Sequence, residues 1–268
     1  MQRLGLMRAF FTRPPFPCFD NRLPPWYKPA MMRAFWTLTL LVVLGAGLAA
    51  QADPGLGFFE EAAAGPQVKA FVLSLDGGWT MNCYLVWDPG TRQALVIDPG
   101  APAPVLLDFV RKQGLQVLAV LNTHGHYDHV GGNARIAASL ETRFYLHRAD
   151  RSLAAKTTGP EFVFSDYPED GRLRLGSLEV EIIRTPGHSP GSVCLKIGDI
   201  LFSGDTLFAG GIGKGHGGTP RQRRANLQLE IDSIRRRLLP LPPLTRVFPG
   251  HGPATTIGAE RAFNRFVR

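Results

Sequence analysis

The run Val117-Leu118-Ala119-Val120-Leu121-Asn122-Thr123-His124-Gly125-His126-Tyr127-Asp128-His129 joins an apolar, strand-like segment to a loop holding three imidazoles and a carboxylate within six residues. Placing so many polar donors in one tight loop is costly for a core and serves nothing on a surface, whereas a divalent metal needs nitrogen and oxygen donors that converge. Gly125 lets the backbone turn between the first two histidines. In extended backbone, residues i and i+2 point the same way, so His124 and His126 can share one metal while Asp128 and His129 turn toward another.

Three further segments end strand-like runs with metal-competent side chains. Thr185-Pro186-Gly187-His188-Ser189-Pro190-Gly191 places His188 at the tip of a turn, Phe202-Ser203-Gly204-Asp205-Thr206 closes a run with Asp205, and Pro249-Gly250-His251-Gly252-Pro253 presents His251 between glycines. Each alone is an ordinary turn residue. Together, each at the end of a strand, they read as the remainder of a metal sphere.

The rest of the chain alternates short strands with helices. Strands are expected at Val68–Leu75, Met81–Trp87, Ala94–Ile97, Val117–Asn122, Arg143–Leu146, Leu178–Arg184, Ser192–Ile197, Ile200–Ser203 and Arg246–Phe248. Helices are expected at Pro104–Lys112, at Asn133–Leu140 with Asn133 as N-cap, at Asn226–Leu239 and at about Gly258–Val267. This is an α+β pattern, two packed sheets with helices outside, and nothing interrupts it between residues 67 and 268. Cys83 and Cys194 sit in apolar strand runs and read as buried free thiols.

The 268 residues are 44% hydrophobic and 19% charged, which excludes a disordered, collagen-like or coiled-coil chain. Six basic residues and one acidic residue fall in positions 1–52, leaving 24 basic and 21 acidic residues beyond, so the net +8 supplies no basis for nucleic-acid binding. The arginines at 221, 223, 224 and 235–237 read as the solvated face of a helix. Arg33, the uncharged run Ala34–Ala50 and small residues at Ala50 and Ala52 form a secretory signal over residues 31–52, cleaved after Ala52. Export to the periplasm or medium is therefore expected, a retained membrane anchor being the alternative. Residues 1–30, rich in Pro, Arg and aromatics, read as a non-native or disordered extension ahead of a start at Met31 or Met32. Residues 53–66 read as a linker and 67–268 as one domain.

The ordered set of motifs resembles the metallo-β-lactamase superfamily, over about residues 67–268, nearly the whole of the chain beyond the signal. The resemblance implies a four-layer αββα sandwich with a dinuclear site at one edge: one metal on His124, His126 and His188, a second on Asp128, His129 and His251, and Asp205 bridging them. Val96-Ile97-Asp98-Pro99-Gly100 matches a further family motif, which gives Asp98 the task of orienting a ligand histidine. Two divalent cations, zinc by expectation with iron or manganese accepted by the same donors, acidify water and polarise a carbonyl, so the implied chemistry is hydrolysis. Asp128 can also steer a proton to the leaving group.

A bridging Asp205 is similar to glyoxalase II, the hydroxyacylglutathione thioesterase. Gly213-Lys214-Gly215-His216 looks like the loop in which that family uses Lys to bind a glutathione carboxylate, which implies substrate-binding roles for Lys214 and His216. His216 stands where that family has Tyr. The ending after His251 resembles the short, single-domain glyoxalase II-like hydrolases. The expected partner is a small molecule, in the first instance a glutathione thioester. The alternatives are a mononuclear iron persulfide dioxygenase using the counterparts of His124, His188 and Asp205, and a β-lactam hydrolase.

Overall fold

Aliphatic runs in the first half of the chain build a six-stranded sheet whose spatial order follows the chain: β1 (Phe59–Glu60), β2 (Gln67–Ser74), β3 (Thr80–Trp87), β4 (Gln93–Ile97), β5 (Gln116–Leu121) and β6 (Arg143–Tyr145). Strands β1 to β4 pair antiparallel, and β4–β5 and β5–β6 pair parallel. Parallel pairing requires a crossover. Helix α1 (Pro104–Lys112) provides the first, and the short helices α2 (Tyr127–Val130) and α3 (Asn133–Ala137) lie on the second. The computed structural model describes residues 59–60, 65–75 and 77–268, all within a unit that runs from Asp53 to Arg268. The extension at 1–30, the signal segment at 31–52 and most of the expected linker lie outside the described residues.

After a 3₁₀ turn (Arg148–Asp150) and helix α4 (Arg151–Thr158), the second half forms another six-stranded sheet. It comprises β7 (Arg172–Leu175), β8 (Leu178–Arg184), β9 (Val193–Ile197), β10 (Ile200–Gly204), β13 (Arg246–Pro249) and β14 (Thr255–Thr256), in the order β14-β13-β10-β9-β8-β7. The small hairpin of β11 (Leu207–Phe208) and β12 (Gly211–Ile212) follows β10. Helix α5 (Pro220–Ser233), which continues into a π-helical segment (Ile234–Leu238), carries the chain over to β13, parallel to β10. Helix α6 (Ile257–Phe263) closes the fold.

Strand alternation sorts the side chains into three apolar layers. Tyr84, Val86, Leu95, Ile97 and Leu121 meet Val180, Ile182, Leu195, Ile197 and Phe202 between the sheets. The other face of the first sheet buries Leu85, Val96 and Val120 against Leu106, Leu107, Val110 and Ile136. The other face of the second buries Ile183, Leu201 and Val247 against Ile234, Leu238 and Ile257. Helices thus flank a pair of facing sheets, the expected αββα sandwich. At about 1.5–3 kcal/mol for each fully buried aliphatic side chain, these layers dominate the folding energy. Cys83 and Cys194 are buried and free, in opposite outer layers.

Some expectations need correction. Asn133 is not the cap of α3: Gly132 holds that position, and the buried Asn133 amide donates instead to Asn122 Oδ1 at 2.8 Å. Helix α5 starts six residues before Asn226, because Thr219 and Gln222 form a reciprocal capping box with Pro220 at the first turn. The expected linker contains β1, which pairs with β2. Strand β7 was also not expected, although Arg172-Leu173-Arg174-Leu175 alternates as an edge strand does. Among the described residues no helix is long and apolar enough to cross a membrane.

Candidate metal centre

Each sequence-predicted ligand follows the C-terminal end of a strand. His124 and His126 follow β5, His188 follows β8, Asp205 follows β10 and His251 follows β13. The backbone is still extended at His126 and turns helical at Tyr127. That switch groups Asp128 and His129 with His251, although the His129 ring also lies 4.0 Å from that of His124, so the two groups adjoin rather than diverge.

The structure brings all seven side chains together. His124, His126 and His188 form one group of converging donor atoms, Asp128, His129 and His251 another, and His124, His129 and Asp205 a third between them. His188 Nε2 lies 2.9 Å from His126 Nδ1 and 3.2 Å from His124 Nε2. Asp205 spans the groups: its Oδ2 is 3.6 Å from His188 Nε2, while its Oδ1 is 3.2 Å from His129 Nε2 and 3.6 Å from His251 Nε2. Asp128 Oδ2 is 3.3 Å from His251 Nε2.

The outward edges of these rings are tied down. His129 Nδ1 meets Asp98 Oδ2 at 2.9 Å. The buried Asp98 also accepts from Thr123 N at 2.8 Å and Thr123 Oγ1 at 2.6 Å. It holds a left-handed φ of 50°, a conformation that Asp tolerates better than most residues. His251 Nδ1 donates to Thr80 O at 2.7 Å, and His188 Nδ1 to Lys214 O at 3.1 Å. The orienting role expected of Asp98 thus has its geometry.

Burial holds His124 well below the ordinary imidazole value and His188 down to about 3, which leaves both neutral and able to donate a lone pair. His129 moves the other way: against the effect of burial, Asp205 and Asp98 on its two sides raise it well above the usual range. Asp205 stays ionised despite burial, because His129, His188 and His251 surround it. Burial pushes Glu230 up to about 8, opposed by the Gly213 amide and reinforced by Asp205.

Two side chains with no motif to announce them complete the frame. Asp150 is fully buried, accepts from Gly125 N at 2.9 Å and Gly191 N at 2.7 Å, and takes the Ser189 hydroxyl at 2.5 Å, so it ties the His124–His126 loop to the turn carrying His188. Asn82 donates to Pro249 O at 3.0 Å and Gly252 O at 2.9 Å, fixing the His251 loop to β3. In the sequence each is a lone polar residue, and only tertiary contact reveals its purpose.

Lys214 and His216 diverge. Lys214 lines a cleft of about 410 Å³ with Ile212, Arg223, Arg224, Leu227 and Phe266, and no acidic residue lines it. His216 is exposed, its ring 4.4 Å from that of His126 and 4.7 Å from that of His188. The expected substrate residues therefore sit in different places, one in the cleft and one over the first ligand group.

The donor set suits divalent cations. His129 Nε2 and Asp205 Oδ1 are buried, point at one another across 3.2 Å and make no hydrogen bond, an arrangement that a shared cation satisfies. A profile of the metallo-beta-lactamase superfamily matches residues 76–251. The chain is 35% identical to the probable metallo-hydrolase YqgX of Bacillus subtilis over 191 residues, 65% of this chain and 87% of that protein. It is 31% identical to the hydroxyacylglutathione hydrolase GloC of Haemophilus influenzae over 210 residues, 69% of this chain and 92% of that protein. Among solved structures, TTHA1623 in a di-iron-bound form is 36% identical with a TM-score of 0.60, covering 73% of this chain and 99% of that one.

Proposed function

The chain belongs to the metallo-β-lactamase superfamily, and from that premise we propose that it is a dinuclear hydrolase of thioesters whose thiol half is anionic. The observation that carries the reading is Asp205, a carboxylate whose two oxygens face different ligand groups, Oδ2 toward His188 and Oδ1 toward His129 and His251. His124, His126 and His188 would hold one cation, Asp128, His129 and His251 the other, and Asp205 both. Cations so held acidify water and polarise a carbonyl oxygen near neutral pH.

The chain's own residues do the rest. Asp128, facing His251 and partly open to solvent, accepts the proton released when water adds to the carbonyl carbon. It returns that proton to the sulfur as the C–S bond breaks, so an acid and a thiol leave. Lys214, with Arg223 and Arg224 along the same cleft, supports an anionic leaving half, and Ile212, Leu227 and Phe266 give that half an apolar floor. Zinc is the proposed metal, and the di-iron form of TTHA1623 makes iron its competitor.

Purified protein should contain close to two metal ions per chain and hydrolyse a hydroxyacylglutathione thioester. Turnover of a β-lactam but not of the thioester, or oxygen consumption with glutathione persulfide, would replace this reading.

A further inference from the structure

Helix α5 sends one acidic side chain inward. Glu230 is fully buried; the Gly213 amide acts on its carboxyl, but neither oxygen accepts a hydrogen bond of normal geometry. An unpaired buried group of this kind costs about 1–3 kcal/mol, and more when charged.

The packing around it is built for close approach. A Cβ on Gly187 would stand 2.3 Å from Glu230 Cβ. A Cβ on Gly213 would stand 2.6 Å from Glu230 Oε1, 2.9 Å from His188 Nδ1 and 2.1 Å from Asp205 O. Two glycines therefore let the helix bring this carboxyl to the edge of His188 opposite the Nε2 that faces His124 and His126. The Nδ1 on that edge already has a carbonyl partner in Lys214, so the carboxyl is not needed to set the direction of the ring.

We propose that Glu230, ionised once a cation is bound, is the buried counter-charge of the first metal group and acts through His188. A cation on Nε2 draws electron density from the imidazole and leaves its Nδ1 edge more positive, which a neighbouring carboxylate stabilises. Only two of the seven ligands, Asp128 and Asp205, are acidic at this centre, so one further negative charge within the protein offsets cationic charge that water cannot reach. The inference rests on the metal-centre reading above and concerns affinity, not turnover.

The test compares wild type with Glu230→Gln and Glu230→Leu, using competition with a chromophoric chelator and the visible spectrum of the cobalt-substituted protein. Both variants should bind one of the two ions about 10–100-fold more weakly, with a changed cobalt spectrum. Metal-free Glu230→Leu should melt no lower than wild type, because an apolar side chain of similar size removes the unpaired carboxyl. Unchanged affinity and spectrum in both variants would overturn the proposal and leave Glu230 as a space-filler. Loss in the Leu variant alone would overturn the counter-charge. A wild-type protein that binds no metal would instead overturn the function proposed above.

Discussion

Replacing Asp98 by Asn exchanges one carboxylate oxygen for an amide NH2 and isolates one job. Asn tolerates the left-handed φ of 50°, and its carbonyl can still accept from Thr123 N, so the backbone stays in place. The new amide donates where Oδ2 accepted. Thr123 Oγ1 can turn to receive it, but His129 Nδ1 can no longer donate, and its proton moves to Nε2, facing Asp205. The ligand lone pair is lost to that tautomer. Outer contacts of this kind are worth about 10–100-fold in metal affinity, or about 1.4–2.7 kcal/mol. The metal-free variant should lose only about the 1.5–3 kcal/mol of one charged hydrogen bond. Asp98→Ala drops all three bonds, leaves buried donors unpaired and places Ala at positive φ, at about 3–5 kcal/mol. At about 2–4 °C per kcal/mol for a domain of this size, that is a fall of roughly 6–20 °C in Tm. Scanning fluorimetry of metal-free protein and chelator competition separate the two effects. Wild-type affinity in Asp98→Asn would refute the tautomer account.

Removing a ligand without disturbing a core, as in His126→Ala and Asp205→Ala, should lower thioester hydrolysis by at least ~100-fold and reduce bound metal while the circular dichroism stays native; full activity in either would contradict the assignment. Lys214→Ala should raise KM for glutathione thioesters and spare kcat, checked against a neutral thioester whose KM should not move. Gly213→Ala forces a Cβ to within 2.1 Å of Asp205 O and should cost about 1–3 kcal/mol or more in urea unfolding. In chelator-treated protein, His124 and His188 stay neutral when folded but protonate when unfolded below pH 6.5, so each removes up to ~1.4 kcal/mol per unit as pH falls from there toward 4. Glu230 acts in the opposite sense, because the folded state keeps from pH 4.5 to about 8 a proton the unfolded chain has released. Stability should therefore fall more steeply on acidification in Glu230→Gln than in wild type between pH 6.5 and 4.5, and equal slopes in urea titrations would contradict the shift.

The strand ends and their ligands were legible because they are local. An apolar run, a turn glycine and a histidine announce themselves within ten residues, and seven such side chains converge as the motifs imply. The start of helix α5 is local too: Thr219-Pro220 with Gln222 is a capping signal that places Arg223 and Arg224 on the first turns beside Lys214. Asp150 and Glu230 were not legible at all. Asp150 acts on residues 25 to 41 positions away, and Glu230 looks like any acidic residue on a polar helix until Gly187 and Gly213 are seen beneath it. Strands β11, β12 and β14 are two residues long, too short for any period to show.

His124 rides on the first sheet, whereas His188, Asp205 and His251 ride on the second. Ions gripped by both would rivet the halves of the sandwich along one seam. A free-ion concentration a thousand-fold above the dissociation constant adds about 4.1 kcal/mol to the native state. That is a sizeable share of the 5–15 kcal/mol that typically separates a folded domain from its unfolded chain. Scarcity of the ion would then act on how long the molecule survives proteases as well as on how fast it works, and its abundance would track the metal supply.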